Sequence, residues 1–114
     1  MFDFQKLEVY KKAKIFHSEI RGLIETKSLA YTEKDQLYRA SFSIALNIAE
    51  GSGRFSKRDR KNFFVIARSS VFECIAILDI LRDGLIISDV TYIEFENKAD
   101  EISRMLYGLI RKME

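Results

Sequence analysis

Asn62-Phe-Phe-Val-Ile-Ala-Arg-Ser-Ser-Val-Phe-Glu-Cys-Ile-Ala-Ile-Leu-Asp-Ile-Leu81 decides the fold class. Within it Phe64, Ala67, Val71, Cys74, Leu78 and Leu81 recur at alternating steps of three and four, the spacing that brings side chains to one face of an α-helix. A strand would need apolar residues at every second position, and no such alternation is sustained anywhere in the chain. Three further stripes obey the helical rule. They are Val9, Ala13, Phe16, Ile20, Leu23; Leu37, Ser41, Ile44, Ile48, with Tyr38, Phe42, Ala45 and Ala49 beside it; and Phe95, Ala99, Ile102, Leu106, Leu109, Met113. The composition agrees, since 114 residues include no Pro and Gly only 5 times.

Boundary residues carry their own mechanism. Thr32 with Asp35, and Ser56 with Asp59, have the spacing of helix N-caps. Ser88 followed by Asp89 can open a last helix with a carboxylate at the positive end of its dipole. Gly51 and Gly84 are placed to supply the left-handed residue that ends a helix. The expectation is an all-α, antiparallel up-down-up-down four-helix bundle in a single domain over residues 1–114. Its helices are expected at about 4–26, 33–50, 57–83 and 89–113, since connections this short favour antiparallel neighbours.

Several function classes are excluded by what is missing. One cysteine, Cys74, gives no disulfide framework, and with a single histidine, His17, it leaves almost no Cys/His metal site. A di-metal carboxylate bundle needs Glu-x-x-His pairs, but the residue three before His17 is Lys14. His17 lies off its stripe and reads as a surface or packing residue; Cys74 lies on a seam and reads as a small core residue. The opening Met1–Lys6 has an early Asp and no apolar segment, so no signal peptide is expected. In the most apolar region the longest apolar run is Cys74–Leu78, far short of the ~20 residues of a membrane span. These features predict a cytoplasmic protein with no metal, no cofactor and no membrane partner.

Two helices are too apolar for a bundle standing alone. From Leu37 to Glu50 only Arg39 and Glu50 are charged, and from Asn62 to Leu81 only Arg68, Glu73 and Asp79. Large apolar patches on a protein surface mark association sites. A homo-oligomer interface along helices 2 and 3 is therefore expected, with Phe42, Leu46, Phe63, Phe72 and Ile75 in it. On the same helix Ser43, Asn47 and Glu50 stand at i, i+4 and i+7, hence on one face. If buried, Glu50 needs a cation, which Arg39, Arg54 or Arg68 could supply. The expected arrangement is a polar network of Arg39, Ser43, Asn47, Glu50, Arg68 and Glu73 that fixes the bundle's register. No nucleophile, histidine or metal set accompanies these residues, so no enzyme is expected.

The basic charge is concentrated. Arg54, Lys57, Arg58, Arg60 and Lys61 stand against Asp59 alone, a local +4 in a chain whose formal net charge is only +2. Backbone N–H groups of the Gly51-Ser-Gly53 turn and of the following helix start could join these side chains in holding phosphate. An oligomer would repeat the patch once per subunit, and phosphate neutralisation rises steeply with the number of contacts. This predicts nucleic-acid binding, RNA foremost, driven by shape and charge with little base specificity. Lys11, Lys12 and Lys14 form a weaker cluster, partly balanced by Glu8 and Glu19. The alternative is an interaction scaffold whose basic rim docks a protein partner.

A wider pattern resembles a known family. Arg39-Ala40, Ser43-Ile44, Asn47-Ile48-Ala49-Glu50-Gly51, Gly53-Arg54 and Ser56-Lys57, then Phe64, Ile66-Ala67-Arg68, Ser70 and Glu73, are similar to the signature of the 23S rRNA-intervening-sequence proteins, also called the bacterial four helix bundle protein family. The resemblance extends to the opening Phe4-x-x-Leu7-x-Val9-Tyr10 and the closing Met105-Leu106-x-Gly108-Leu109-Ile110. Tyr10 stands where the family usually has Trp, Ala45 where it has Pro, and Ser69 where it has Gly; the Pro usual between helices 1 and 2 is absent. Ala45 removes an expected kink. The resemblance implies a cytosolic bundle assembling as a ring-shaped homopentamer with no attached enzymatic activity. A related branch is the accessory protein of diversity-generating retroelements, which binds nucleic acid and works with a reverse transcriptase. That branch makes such an enzyme the implied protein partner in the scaffold reading.

Overall fold

Each apolar stripe becomes one helix in the computed structural model, which describes residues 1–114. A 3₁₀ turn, Asp3–Lys6, precedes α1 (Glu8–Thr26), α2 (Tyr31–Ser52), α3 (Lys57–Asp83) and α4 (Asp89–Lys112). The first helix does not start at residue 4 as the sequence suggested. Leu7 is extended, with φ −70° and ψ 128°, and separates the 3₁₀ turn from α1. Helix α2 begins two residues earlier than expected. The Ala30 N–H donates to Glu33 Oε1 at 2.8 Å, so a carboxylate of the first turn does the work expected of Thr32 and Asp35. Ser56 and Ser88 do cap α3 and α4, accepting from the N–H groups of Asp59 and Thr91 at 3.1 Å each.

Cross-helix pairs establish the direction of three of the four neighbouring pairs, and that of α1 and α2 follows from them. Ser43 faces Ser70 and Gly51 faces Phe63 and Phe64 across α2 and α3. Arg68 meets Ser103, and Lys61 meets Glu114, across α3 and α4. Lys12 meets Glu101 and Glu19 meets Lys98 across α1 and α4. In each set one number rises as the other falls, the mark of antiparallel packing. Each helix packs on its chain neighbours and α1 also on α4, with no packing across a diagonal. The result is a four-cornered bundle 44 Å long and 24 × 21 Å across.

The core is one cluster of 24 buried residues, drawn from all four stripes and closed by Leu29 and Ile87 from the connections. The α1 and α3 stripes are buried throughout. On α4 the buried face runs Tyr92, Phe95, Ala99, Ile102, Leu106 and then Ile110, not Leu109. A helix of 3.6 residues per turn drifts against a strict seven-residue repeat, and at Ile110 that drift shifts the stripe by one.

Both helix-ending glycines are used differently from the expectation. Gly51 lies inside α2 and is buried. A Cβ there would fall 2.9 Å from Phe63 Cβ and 2.9 Å from Phe64 Cε1, so glycine is required for the close approach of α2 to α3. Gly84 has φ −81°, and the left-handed residue is its neighbour Leu85, with φ 61°. The Leu85 N–H bonds to the Arg82 carbonyl at 3.0 Å and the Ile86 N–H to the Leu81 carbonyl at 2.9 Å. This is the paired C-terminal closure usually built on glycine, here with a side chain in the strained position.

Candidate nucleic-acid interface

The α2–α3 connection is short and pinned from both sides. Arg54 N–H donates to the Gly51 carbonyl at 3.2 Å. Arg60 Nε donates to the Arg54 carbonyl at 2.6 Å. The Arg54 guanidinium lies over the Phe63 ring, 4.5 Å from its centroid, and 3.8 Å from Glu50 Oε2. Lys61 reaches Glu114 at 3.7 Å. Lys57 and Arg58 are exposed and make no ion pair. Arg54, Lys57, Arg58, Arg60 and Lys61 therefore do converge on one end of the bundle, with two of the five unengaged.

Antiparallel packing adds groups that the linear sequence kept apart. The start of α1 and the end of α4, with Arg111 and Lys112, lie at the same end as this loop. Residues 1–17, 42–70 and 101–114 form that half; they hold 13 Lys and Arg against 6 Asp and Glu. The other half, 18–41 and 71–100, holds 6 against 11. The two ends carry +7 and −5, which together make the +2 of the chain. One more residue of the basic end escaped the sequence reading: Phe55 is 99% exposed at the tip of the loop. Its signal was an aromatic in a polar turn, out of register with every stripe.

The expected polar network forms only in part. Asn47 Nδ2 donates to the Ser43 carbonyl and to Ser43 Oγ, both at 2.8 Å, and Ser70 Oγ donates to Ser43 Oγ at 3.0 Å. Ser70, rather than a cation, completes it from α3. Glu50 is exposed and pairs with Arg54. Arg39 reaches back one turn to Asp35, and Glu73 is exposed. Arg68 turns to the far side of α3, donating to the Ser103 carbonyl at 3.3 Å and covering Phe72. The correction has a simple cause: the α2–α3 seam is apolar and close, so it admits small neutral side chains and leaves the charges at its edges.

The five residues expected at one subunit interface likewise do not share a face. Phe42 lies against His17 at the α1–α2 edge, and Leu46 one turn on is 45% exposed. Phe72 and Ile75 line a groove of about 400 Å³ between α3 and α4, with Arg68, Ala99 and Ser103. Phe63 is half-buried under Arg54. Phe42 with Leu46, and Phe72 with Ile75, thus fall on two opposite edges of the bundle, and Phe63 belongs to neither.

His17 does more than fill surface. Ser41 Oγ lies 3.1 Å from the Tyr38 carbonyl and 2.8 Å from His17 Nδ1, within hydrogen-bond distance of both. Tyr38 and Phe42 pack on the ring. Burial, and then the nearby Arg21, hold the imidazole below its ordinary pKa. The signal in the sequence was Ser41, a hydroxyl standing in an apolar stripe. Cys74 is fully buried, and burial pushes its thiol up to about 12, so it stays protonated inside the core.

The model of the family described as 23S rRNA-intervening sequence protein matches residues 5–108. The chain belongs to the 23S rRNA-intervening sequence protein family. Among solved structures, a protein of unknown function from the S23 ribosomal protein family of Bacteroides thetaiotaomicron is similar to it. Identity is 26% over 90% of this chain and 97% of that one, with a TM-score of 0.85. No curated protein matches the chain significantly. In this member of the family, the Asn47-Ile-Ala-Glu-Gly51 segment supplies both the amide that holds Ser43, the residue bonded across to Ser70 of α3, and the glycine that lets α2 and α3 touch. With Ala at position 45, α2 runs without a break from Tyr31 to Ser52. No helix is long and apolar enough to cross a membrane.

Proposed function

We propose that this protein is a non-enzymatic homo-oligomer that binds structured nucleic acid, RNA foremost, through the basic end of the bundle. The observation that carries the reading is the axial separation of charge, with 13 cations against 6 carboxylates at the end holding the α2–α3 loop. A field of one sign over one end attracts a polyanion although the whole chain is nearly neutral. The family's name, which refers to ribosomal RNA, points the same way.

Two distinct apolar patches on opposite edges suit a head-to-tail ring, in which each subunit offers one patch to each neighbour; a two-fold dimer would use one patch twice. A pentamer is the ring that the family resemblance implies. In a ring closed about an axis along the helices, every basic end falls on one rim, and the contacts to phosphate multiply. The partner is then a folded RNA large enough to span several subunits.

Titration of a structured RNA at several salt concentrations tests this. Binding should weaken steeply as salt rises, and Lys57→Glu with Arg58→Glu should remove it without loss of helicity, since neither side chain is paired. Arg54→Glu with Arg58→Glu should do the same, with an added stability cost from the lost contact to Phe63. Equal binding by wild type and the Lys57/Arg58 variant overturns the interface. A monomer by light scattering overturns the ring.

A further inference from the structure

Phe55 has no role in a surface built on charge alone. It is 99% exposed, more than any other large apolar residue of the chain, and it stands between Arg54 and Ser56-Lys57-Arg58. Turns are ordinarily built from Gly, Pro, Asn, Asp and Ser, and a phenyl ring offers the loop no hydrogen bond. Floppiness does not explain it either. The backbone on both sides is tied down, by Arg54 N–H to Gly51 O at 3.2 Å, Arg60 Nε to Arg54 O at 2.6 Å and Asp59 N–H to Ser56 Oγ at 3.1 Å. Nor does a neighbour cover it, because the adjacent guanidinium of Arg54 is engaged on Phe63. A rigid loop therefore holds an apolar ring in water with cations on both sides.

We propose that Phe55 is a base-stacking platform and that the basic end takes unpaired nucleotides, one base lying on the Phe55 ring while Lys57 and Arg58 hold the adjoining phosphates. The proposal rests on the nucleic-acid reading and narrows it. Bases inside an A-form duplex are stacked on each other and closed to a side chain, whereas loops, bulges and ends present a free face. Stacking on an aromatic ring works for any base, so it adds affinity for unpaired strands with little sequence preference. A pinned loop lowers the ordering cost of binding.

The test compares a short unstructured oligoribonucleotide with its own duplex, using wild type, Phe55→Ala and Phe55→Tyr in fluorescence anisotropy. Phe55→Ala should weaken single-strand binding about 5- to 150-fold, the range for one lost stack, leave duplex binding and the salt slope unchanged, and keep the oligomeric state. Phe55→Tyr should bind within a few-fold of wild type. A 2-aminopurine in the strand should change its fluorescence with wild type and not with Phe55→Ala. If Phe55→Ala binds single strands as wild type does, or weakens both RNAs equally, the stacking role is overturned while the charged interface stands. If Phe55→Ala changes the oligomeric state, the ring is a subunit contact and the proposal falls. If wild type binds neither RNA, the nucleic-acid reading fails and stacking fails with it.

Discussion

The two ends of this bundle meet opposite demands with the same four helices. At the basic end the chain turns from α2 to α3 in a tight loop, α2 touches α3 through Gly51, and two of five loop cations have no partner. At the acidic end Arg82 is fully engaged: it pairs with Asp79 at 2.5 Å and lies 3.8 Å from the Tyr92 ring centroid. The turn there is closed by Leu85 in a strained conformation. Free cations beside the loop at one end, and an excess of carboxylates at the other, separate a surface that attracts a polyanion from one that repels it. A net charge of +2 conceals this, because the two ends nearly cancel.

The largest effect should come from moving charge between the ends. Lys57→Glu with Arg58→Glu should reduce RNA affinity by at least about 100-fold, as charge-assisted phosphate contacts become repulsions. Reversing Glu25 and Asp83 to Lys, at the other end, should leave affinity within a few-fold of wild type. Comparable losses from both variants in a binding titration would mean that net charge matters and position does not.

Next comes packing. Gly51→Ala should destabilise the protein by about 2 kcal/mol, because the added methyl meets Phe63 Cβ and Phe64 at 2.9 Å and overpacking outweighs the gain in helix propensity. Gly22→Ala, on α1 with nothing within 4 Å of its Cβ, should stabilise by about 1 kcal/mol. Urea denaturation of the pair reads both signs in one experiment. A smaller gain is expected at the acidic turn. Leu85→Gly should stabilise by about 1 kcal/mol, raising Tm by about 4 °C, since glycine accepts positive φ without strain.

The smallest effect concerns pH. His17 has its pKa lowered in the fold by burial and Arg21, so the unfolded chain binds its proton more readily. The resulting stability is present above the unfolded value of about 6.5 and is lost as pH falls through the folded one. Denaturation midpoints should therefore drop from pH 7.5 toward pH 5.5, and part of that slope should vanish in His17→Gln.

Much of the fold was legible because burial follows helical periodicity: the stripes through Phe16, Ile44, Val71 and Ile102 are the core itself. Where legibility failed, the cause lay between helices. Gly51 looked like a helix end, yet only the proximity of Phe63 and Phe64 reveals why a side chain is excluded there. Glu50 shares a helical face with Asn47, but one more turn carries it out of the seam and into water. The basic loop was visible as five cations in eight residues. Its extension by Arg111 and Lys112, and the presentation of Phe55, were not.

By itself the sequence determined the helices, their caps at Ser56 and Ser88, the core stripes and the location of the basic loop, since each depends on residues within a few turns of one another. Tertiary structure alone decided which charges share an end, which apolar residues face the α1–α2 edge or the α3–α4 groove, and which aromatic is left in water. Those properties depend on distances between segments far apart in the chain, which become defined only when antiparallel packing brings the end of α4 beside the start of α3.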